Sequence, residues 1–557
     1  MSDPINKIFG IDLGTTYSSI AYVDEYGKPV IIPNSENQRI TPSVVFFDGS
    51  EIVVGDVAKE SAKLYPNEVV SFIKRSMGEA NFLYEYDGKP YRPEEISSYI
   101  LRKVAQDAEQ TIGEKVQDVV ITCPAYFGIN EREATRKAGE IAGFNVRQII
   151  NEPTAAAIAY GTVQETENRV VLVYDLGGGT FDITMIDIQE SSIDVICTGG
   201  DHNLGGKDWD DRIVAFLVQE FQRQTQSEED ILEDPDTWQD LQLSSEKSKK
   251  ILSQRDKTPI SITHGGDRVK VELSRDKFLE ITEDLLERTI ALANEMLKEA
   301  KTKGYEHFDE IIMVGGSTRM PQIPDRIRQE FGMEPRMFDP DEAVAKGAAI
   351  YGWKLSLNDG LIRRIAEKTN RDVENVENEE NIFETTPKQI MEEAAKEMSE
   401  ETGVTLSAVK RSTMKIRDVA SKSFGVVARR PNNQEGVFNL ILKNTAVPVE
   451  TKRTFYTPEA NQERVLIRIM ENETNEKVVA VEHSIGIGTA VLELPEGLPE
   501  DSPVEITFNL NREGRLQITA IEATENRQVV AKIETSSVIQ GKELKDAIER
   551  AQHLVVH

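Results

Sequence analysis

Cysteine is almost absent from this chain. There are two in 557 residues, Cys123 and Cys197, too few for a disulfide framework or a zinc-ligand pattern. Both fall in apolar, strand-like runs, where a free thiol behaves as a small buried hydrophobe. Long apolar runs are missing as well. No unbroken stretch approaches the roughly 18 residues that a membrane span requires. The opening Met1-Ser2-Asp3-Pro4-Ile5-Asn6-Lys7 has no apolar signal core, so a cytoplasmic protein is expected. Positive charge is scarce: 65 Lys and Arg against 96 Asp and Glu leave a net charge of −31. Such a chain cannot neutralise a phosphate backbone over a wide face, which excludes a nucleic-acid surface. The same charge favours solubility. Three common phosphate and metal motifs are also missing: G-x-x-x-x-G-K-S/T, G-x-G-x-x-G and H-E-x-x-H.

What is present is a long, soluble chain with 39% apolar and 29% charged residues. At about 150 residues per domain, three or four compact units are expected. Residues 1–353 alternate short apolar strands with amphipathic helices, which means α/β architecture. Val119 to Thr122 reads as a strand and Glu131 to Ala142 as a helix closed by Gly143. Two segments echo each other: Ile8-Phe9-Gly10-Ile11-Asp12-Leu13-Gly14-Thr15-Thr16 and Val171-Leu172-Val173-Tyr174-Asp175-Leu176-Gly177-Gly178-Gly179-Thr180. Their separation is too long for a solenoid and predicts a duplicated lobe. Residues 354–418 form a charged segment and linker. From Lys354 to Arg411 there are 13 acidic and 9 basic residues. Thr386-Pro387-Lys388-Gln389 predicts an N-cap, a proline at the first helical position and a capping-box glutamine. Ile390, Met391, Ala394, Ala395 and Met398 give one apolar face, ended by Gly403. One helix or two on a solvated spacer is the expectation. From Ser423 to Thr535 the pattern is all β, with a hairpin turn at Asn511-Arg512-Glu513-Gly514. Residues 419–537 are thus expected to be a β-sandwich, and 538–557 a single short helix from Lys542 to Leu554.

A triphosphate needs backbone N–H groups at close range, and glycine permits that approach because it has no Cβ. It also needs hydroxyl donors, a cation, and carboxylates to hold that cation. The Asp12 and Asp175 turns carry all of these. Each leads into another strand, so each is a hairpin clasp and not a loop that opens a helix. Val314-Gly315-Gly316-Ser317-Thr318-Arg319 adds a third glycine turn. ATP bound between two related lobes is the reading. Asp12, Asp175 and Asp182 can hold Mg²⁺, mostly through water, as that ion prefers. Thr15, Thr16 and Thr180 can donate to phosphate oxygens. A lysine for the γ-phosphate and a carboxylate for the attacking water are also required. The residues alone do not choose them.

The motifs closely resemble the 70-kDa heat-shock (DnaK-type) chaperone family. The matching stretches are the Asp12 turn, Ile73-Lys74-Arg75, Pro124-Ala125-Tyr126-Phe127, Asn151-Glu152-Pro153-Thr154, Asp175 to Asp182, Leu204-Gly205-Gly206 and Gly315 to Arg319. The resemblance implies an actin-like two-lobed ATPase that couples nucleotide state to binding of unfolded polypeptide. It implies that Lys74 contacts the γ-phosphate, that Glu152 and Asp182 orient or deprotonate the water, and that Thr180 belongs to the catalytic set. Gly14, Thr15, Thr16, Tyr17, Gly177, Gly178, Gly179 and Thr180 would line the phosphates. Glu246, Lys249, Lys250 and Ser253, with Gly315, Gly316, Ser317, Arg319 and Asp341, would clamp the adenosine. Pro124 and Arg132 would relay nucleotide state to the second domain. The implied cofactors are ATP or ADP with Mg²⁺. The implied partners are unfolded clients, a J-domain co-chaperone and a nucleotide exchange factor, with no nucleic acid and no membrane.

The sandwich resembles the family's peptide-binding domain less closely. Val426, Phe455, Val465 and Ile467 keep an apolar pocket of the β-augmentation type. Arg429 and Pro458 stand where Met and Ala are common; one adds a charge and the other removes a backbone donor. Met414-Lys415-Ile416-Arg417-Asp418 is half basic where the family has an apolar linker, so altered coupling is expected. Gln148 replaces a usual arginine of the co-chaperone contact, and Lys207 a usual glutamate. The last helix is short where the family has a long lid, so a lidless or truncated lid is expected. Two other readings remain on the residues: an actin-fold small-molecule kinase, and an ATP-binding interaction protein with little turnover.

Overall fold

Asp-Leu-Gly ends a strand twice, and the wiring around both copies is the same. In the computed structural model, Ile8–Asp12 runs parallel to Asp118–Cys123 on one side and antiparallel to Tyr17–Val23 on the other. Arg169–Leu176 runs parallel to Glu310–Val314 and antiparallel to Phe181–Ile188. Each clasp is therefore a hairpin bend on the inner strand of its own sheet. The first sheet has the path Asn145–Asn151, Asp118–Cys123, Ile8–Asp12, Tyr17–Val23, Pro29–Ile32. The second has the order Arg336–Met337, Glu310–Val314, Arg169–Leu176, Phe181–Ile188, Ser192–Asp201, Lys415–Arg417. The residues described are 6–163, 168–379, 381–430, 432, 434–522, 527–532, 537–553 and 555–557.

Strand burial explains why both sheets form. Ile8, Phe9, Ile11, Val119, Val120, Ile121, Leu172, Val173, Tyr174, Ile311 and Ile312 are all buried. Inner strands covered on both faces read as continuous apolar runs, not as alternating ones. Helices Glu152–Val163 and Ala343–Thr369 cross where the two lobes meet. A Cβ on Gly347 would lie 1.8 Å from the Ala155 carbonyl oxygen. Only glycine lets these backbones approach so closely.

The stretch 354–418 differs from a solvated spacer. Ala343–Thr369 passes without a break through the expected boundary at Trp353. Val373–Glu377, Ile382–Thr385, Lys388–Thr402 and Leu406–Ser412 follow as four further helices. They bury a core of their own, with Leu357, Leu361, Ile365, Val376, Ile382, Ala394, Ala395, Met398 and Val409. The apolar face expected on Lys388–Thr402 is the face that seals it, and Gly403 ends that helix in the left-handed region. Pro387 is the N-cap residue and not the first helical residue, and no side-chain cap forms. Thr386 instead donates to Ile382 O within the preceding helical turn.

The linker is no free tether. Lys415–Arg417 adds to the second lobe's sheet, parallel to Ser192–Asp201. Beyond it, among the described residues, lie two stacked sheets of five and four strands. Phe424, Val426, Ile441, Ile467, Ile469, Leu492, Val504, Phe508 and Ile518 fill the space between them. The expected hairpin turn closes between Pro503–Leu510 and Leu516–Glu522, with Gly514 at φ 74°. Arg527–Lys532 is the last strand of the sandwich among the described residues, and Thr535 lies outside them. The C-terminal helix is Gly541–His553, and Leu554 is again outside them. This helix packs on the first lobe: Arg550 pairs with Glu95 through two 2.8 Å hydrogen bonds. Val555–Val556 then pairs parallel with Glu51–Val54. Among the described residues no helix is long and apolar enough to cross a membrane.

Candidate nucleotide site

The strand ends deliver the carboxylates. Asp12 and Asp175 close the inner strands of the two lobes, and Asp182 faces Asp175 directly across its hairpin. Thr122 Oγ1 donates to Asp12 Oδ1 at 2.9 Å. The backbone N–H of Tyr126 donates to Asp182 Oδ1 at 3.1 Å. Lys74, in the short helical turn Ile73–Ser76, ion-pairs with Glu152 at 2.5 Å. Both are buried, at 4% and 7% exposure.

Three buried carboxylates and the half-buried Asp12 thus surround one buried ammonium, and their protonation shows the imbalance. Burial, followed by the Glu152 charge, pushes Asp12 up to about 7 and Asp182 up to about 8. Asp175 is raised well above the ordinary range for the same two reasons, and Asp182 and Asp12 add to it. Burial works against the Lys74 ammonium, but Glu152 and Asp12 outweigh it and Lys74 is raised. Asp182 Oδ2 is buried without a partner in the structure. Unpaired oxygen donors of this kind call for a hard cation, and Mg²⁺ fits that chemistry. Among the described residues no three carboxylates gather closely enough to chelate an ion directly. Asp12, Asp175 and Asp182 would therefore hold Mg²⁺ through water.

The two clasps meet across the cleft. A Cβ on Gly178 would sit 1.6 Å from Thr16 Oγ1, and one on Gly179 would sit 2.4 Å from Thr15 Cγ2. Gly14 N–H donates to Ser18 Oγ and Gly177 N–H to the Thr180 carbonyl, so both bends are held from within. On the second lobe, helix Pro235–Leu252 brings Glu246, Lys249 and Lys250 to the cleft, and Ser253 caps it. Lys249 donates to Gly206 O at 2.6 Å and to Asp210 at 2.8 Å. Ser253 Oγ donates to Lys249 O, and Ser317 Oγ donates to Gly177 O at 2.8 Å. Gly315 N–H donates to Pro340 O, Arg319 ion-pairs with Asp341, and the Gly316 backbone lies beside Asp341. A cavity of about 60 Å³ remains between Thr15, Thr16, Lys59, Gly178, Glu246 and Lys249.

Two latches across the cleft involve residues that sequence reasoning did not assign. Lys59 of the first lobe ion-pairs with Glu246 of the second, and Tyr17 donates to Glu246 Oε1 at 3.1 Å. Lys250 completes the group, 2.8 Å from both Tyr17 and Glu246. Burial would raise Glu246, but Lys59 and Lys250 overcome it and hold the acid down at about 2. Arg75 reaches over to Gly179 O at 2.8 Å and to Asp208 at 2.5 Å. Arg75 was visible in the Ile73-Lys74-Arg75 motif without a role. Lys59 stands in no motif, and only the fold brings it to the cleft.

A family model for Hsp70 protein matches residues 8–360 and 398–556. The chain belongs to the Hsp70 family. Hsp70 proteins are ATPases with chaperone activity, and the matched range includes every residue placed at this cleft. The unmatched residues 361–397 lie in the extra helical segment that precedes the linker.

The remaining expected residues lie on the sandwich side. Pro124 and Arg132 flank the turn after Asp118–Cys123. Arg132 donates to Phe127 O at 3.0 Å and to Asn151 Oδ1. Asn151 and Thr154 in turn hold Asp418 of the linker, at 2.7 and 3.2 Å. Val426 and Ile467 are buried in the sandwich core, and Phe455 and Val465 pack against it half-buried. Arg429 and Pro458 are exposed. Arg453 lies over the rings of Phe438 and Phe455, 4.9 and 5.6 Å from their centroids.

Proposed function

We propose that this chain is an ATP-hydrolysing chaperone whose nucleotide cleft governs how its β-sandwich holds extended polypeptide. The carrying observation is the set Asp175, Asp182 and Glu152, all buried, with the half-buried Asp12, around Lys74, tied by short hydrogen-bonded steps to a docked linker. Lys74 serves the γ-phosphate as a fixed positive charge. Glu152 and Asp182 orient the attacking water, and Thr180 with the clasp threonines donates to phosphate oxygens. Mg²⁺, when bound, supplies the charge that the phosphates and carboxylates together demand. Glu246, Lys249, Lys250 and Ser253 flank the adenosine, opposite Gly316, Ser317 and Arg319.

Pro124 and Arg132 pass the state of the cleft to Asn151, Asp418 and the linker strand. The client segment pairs with the sandwich edge, with Val426 and Ile467 below it and Phe455 and Val465 beside it. Arg429 and Pro458 reshape the rim of that groove, so clients with acidic residues beside an apolar anchor suit it best. A J-domain co-chaperone and an exchange factor belong to the same cycle, in the cytoplasm. A kinase would have no use for a sandwich whose linker extends the nucleotide lobe's own sheet. The test is steady-state ATP hydrolysis with and without an unfolded peptide. Stimulation by peptide supports the reading. Turnover that ignores peptide refutes the coupling, and no turnover leaves only a binding protein.

A further inference from the structure

Two arginines of the sandwich lie on one face of one strand, and neither meets an acid among the described residues. The strand is Glu435–Ile441. Gly436 and Phe438 stand two positions apart on it, so both point to the same face, about 7 Å from each other. Arg430, which follows strand Ser423–Arg429, lies flat on Gly436: a Cβ there would stand 2.1 Å from Arg430 Nε and 2.8 Å from its Nη2. These two nitrogens are buried and have no hydrogen-bond partner. They form one edge of the guanidinium, the fork that grips a carboxylate through two parallel bonds. Arg453 lies over Phe438 and Phe455, whose rings meet edge to face at 6.0 Å. Val426 pairs with Phe438 and shares that face, so both guanidinium groups border the apolar pocket. Beside it the ladder is open: Ser423–Arg429 pairs with Arg464–Asn472 only from Ser423 to Val426 among the described residues. Arg468 differs. It is answered by Glu435 on the opposite face of the strand.

We propose that Arg430 and Arg453 select the client, together taking one acidic side chain of an extended polypeptide that lies one to three residues from its apolar anchor. The proposal rests on the polypeptide-binding reading of the sandwich and names the charge of the client. The chain has 96 acids against 65 bases, yet its own acids leave these two groups unanswered. Two guanidinium groups about 7 Å apart can both reach a carboxylate placed between them. Arg453 rests on aromatic rings and is weakly hydrated, so little water is lost when an anion arrives. Arg430 gains more. Its fork turns off Gly436 and exchanges no partner at all for charge-assisted bonds, and an unbonded buried donor favours that turn once an acceptor is present. A basic client residue at the same place meets two like charges.

The test uses the full chain and three labelled peptides of one extended sequence: a central leucine with Glu, Gln or Lys two residues away on either side. Fluorescence anisotropy gives Kd for each. Wild type should bind the Glu peptide about 10-fold more tightly than the Gln peptide, and the Lys peptide more weakly than either. Arg430→Gln and Arg453→Gln should each cut the Glu-to-Gln preference to about 3-fold or less, and the double substitution should abolish it. Lys452→Gln is the control for net charge. Lys452 stands one residue from Arg453 on the other face of its strand, paired with Glu505 at 3.3 Å, and its loss should leave the preference at about 10-fold. Salt at about 0.5 M should shrink the preference in wild type. A wild type that binds the Glu and Gln peptides equally overturns this inference alone. A preference that survives the double substitution also overturns it, as does a loss in Lys452→Gln equal to that in Arg453→Gln, because the effect would then be net charge. A wild type that binds none of the three peptides overturns the polypeptide-binding reading itself.

Discussion

Raising the pH from 6 to 8 should undock the sandwich from the nucleotide lobes. The group responsible is Glu471, at the end of strand Arg464–Asn472 and only 4% exposed. Its carboxylate lies at the N-terminus of helix Ile129–Ile141, where Ile129 N–H donates to it at 3.4 Å. That helix begins on Gly128, which has no side-chain cap. The sandwich thus supplies an acceptor to orphan N–H groups in the other domain. A second acid shares the place. The point where a Gly128 Cβ would stand is 2.7 Å from both Glu471 oxygens and 3.0 Å from Glu131 Oε2, and Glu131 Oε2 is buried without a partner in the structure.

Burial, then the Glu131 charge, pushes Glu471 up to about 8, against the pull of Lys422 and the Ile129 N–H; Glu473 adds to the rise. The ordinary glutamate value of 4.5 applies once the domains part. The docked state therefore binds more protons between these two values. Its proton-linked stabilisation is complete below about 4.5 and is lost as pH rises through about 8. The limiting slope is about 1.4 kcal/mol, or tenfold in the docking equilibrium, per pH unit. Over two units the ceiling is about 100-fold, and relaxation of a buried pair lowers the expectation to about 10-fold. The assay is energy transfer between dyes on Tyr26→Cys and Ile485→Cys, at fixed ionic strength without nucleotide. Both positions are exposed, at 79% and 66%, and the two native thiols are buried. Glu471→Gln mimics the protonated acid and keeps an acceptor for Ile129. It should dock tightly and show a flat profile. Docking that tightens with pH, or a Glu471→Gln profile that matches wild type, would refute the reasoning.

Lys74→Ala removes the one ammonium among the four cleft carboxylates and should cut single-turnover ATP hydrolysis at least about 100-fold; near-normal turnover would exclude the cleft chemistry. Glu384→Lys places a like charge against Lys415 of the linker, with which Glu384 is ion-paired. Surface pairs contribute at most about 1 kcal/mol, so tryptic cleavage at Lys415 or Arg417 should quicken by about 3–5-fold, and 0.5 M salt should do the same to wild type. A cleavage rate indifferent to both would show that the linker is held by backbone pairing alone. Lys354 is half-buried near Arg512, and desolvation first, then that charge, lowers its ammonium to about 8. The cost of holding it charged is fully present below pH 8 and vanishes above about 10.5. Lys354→Met should therefore raise the melting temperature at pH 7, by on the order of 1–3 kcal/mol of stability, with the gain fading by pH 10.5; a lowered melting temperature would mean that the bond to the correctly oriented Asn358 oxygen, at 3.1 Å, matters more.

The clasps were legible because their constraints are local. A strand must end where its apolar run ends, and Gly178 must be glycine because Thr16 leaves it no Cβ. The apolar run and its glycines are written within ten residues of Asp175; the Thr16 contact itself comes from the other clasp. Lys74 and Glu152 were nameable only through resemblance, since nothing local marks one lysine among many as the buried one. Lys59 escaped even that. Its meeting with Glu246 is a property of how two lobes close, and 187 residues separate the pair. The helical segment misled for a related reason. Its charged residues are as solvated as a spacer's would be, but its few apolar ones, Leu361, Ile365, Val376 and Val409, lie too far apart in sequence to show that they share one core.

Two features that the sequence reading marks as departures from the family pattern, a half-basic linker and an added helical segment, meet in the structure. An apolar linker strand docks by burying its side chains. Here only Met414 and Ile416 of the five linker residues do so, packed against the core between the lobes. Lys415 pairs instead with Glu384, which the added segment contributes, and Arg417 pairs with Asp194 at 2.8 Å on the neighbouring strand. The segment's last helix, Leu406–Ser412, ends three residues before the linker strand begins, and Ser412 bonds Asn358 on the long helix. The residues that the family model leaves unmatched include the acid that answers the linker's first base. Removing the segment without restoring an apolar linker should therefore loosen docking, and doing both together should restore it. Compensation of that kind distinguishes a matched pair of changes from two unrelated ones. Linker exchange at 415–417 that responds additively to the two changes would separate them again.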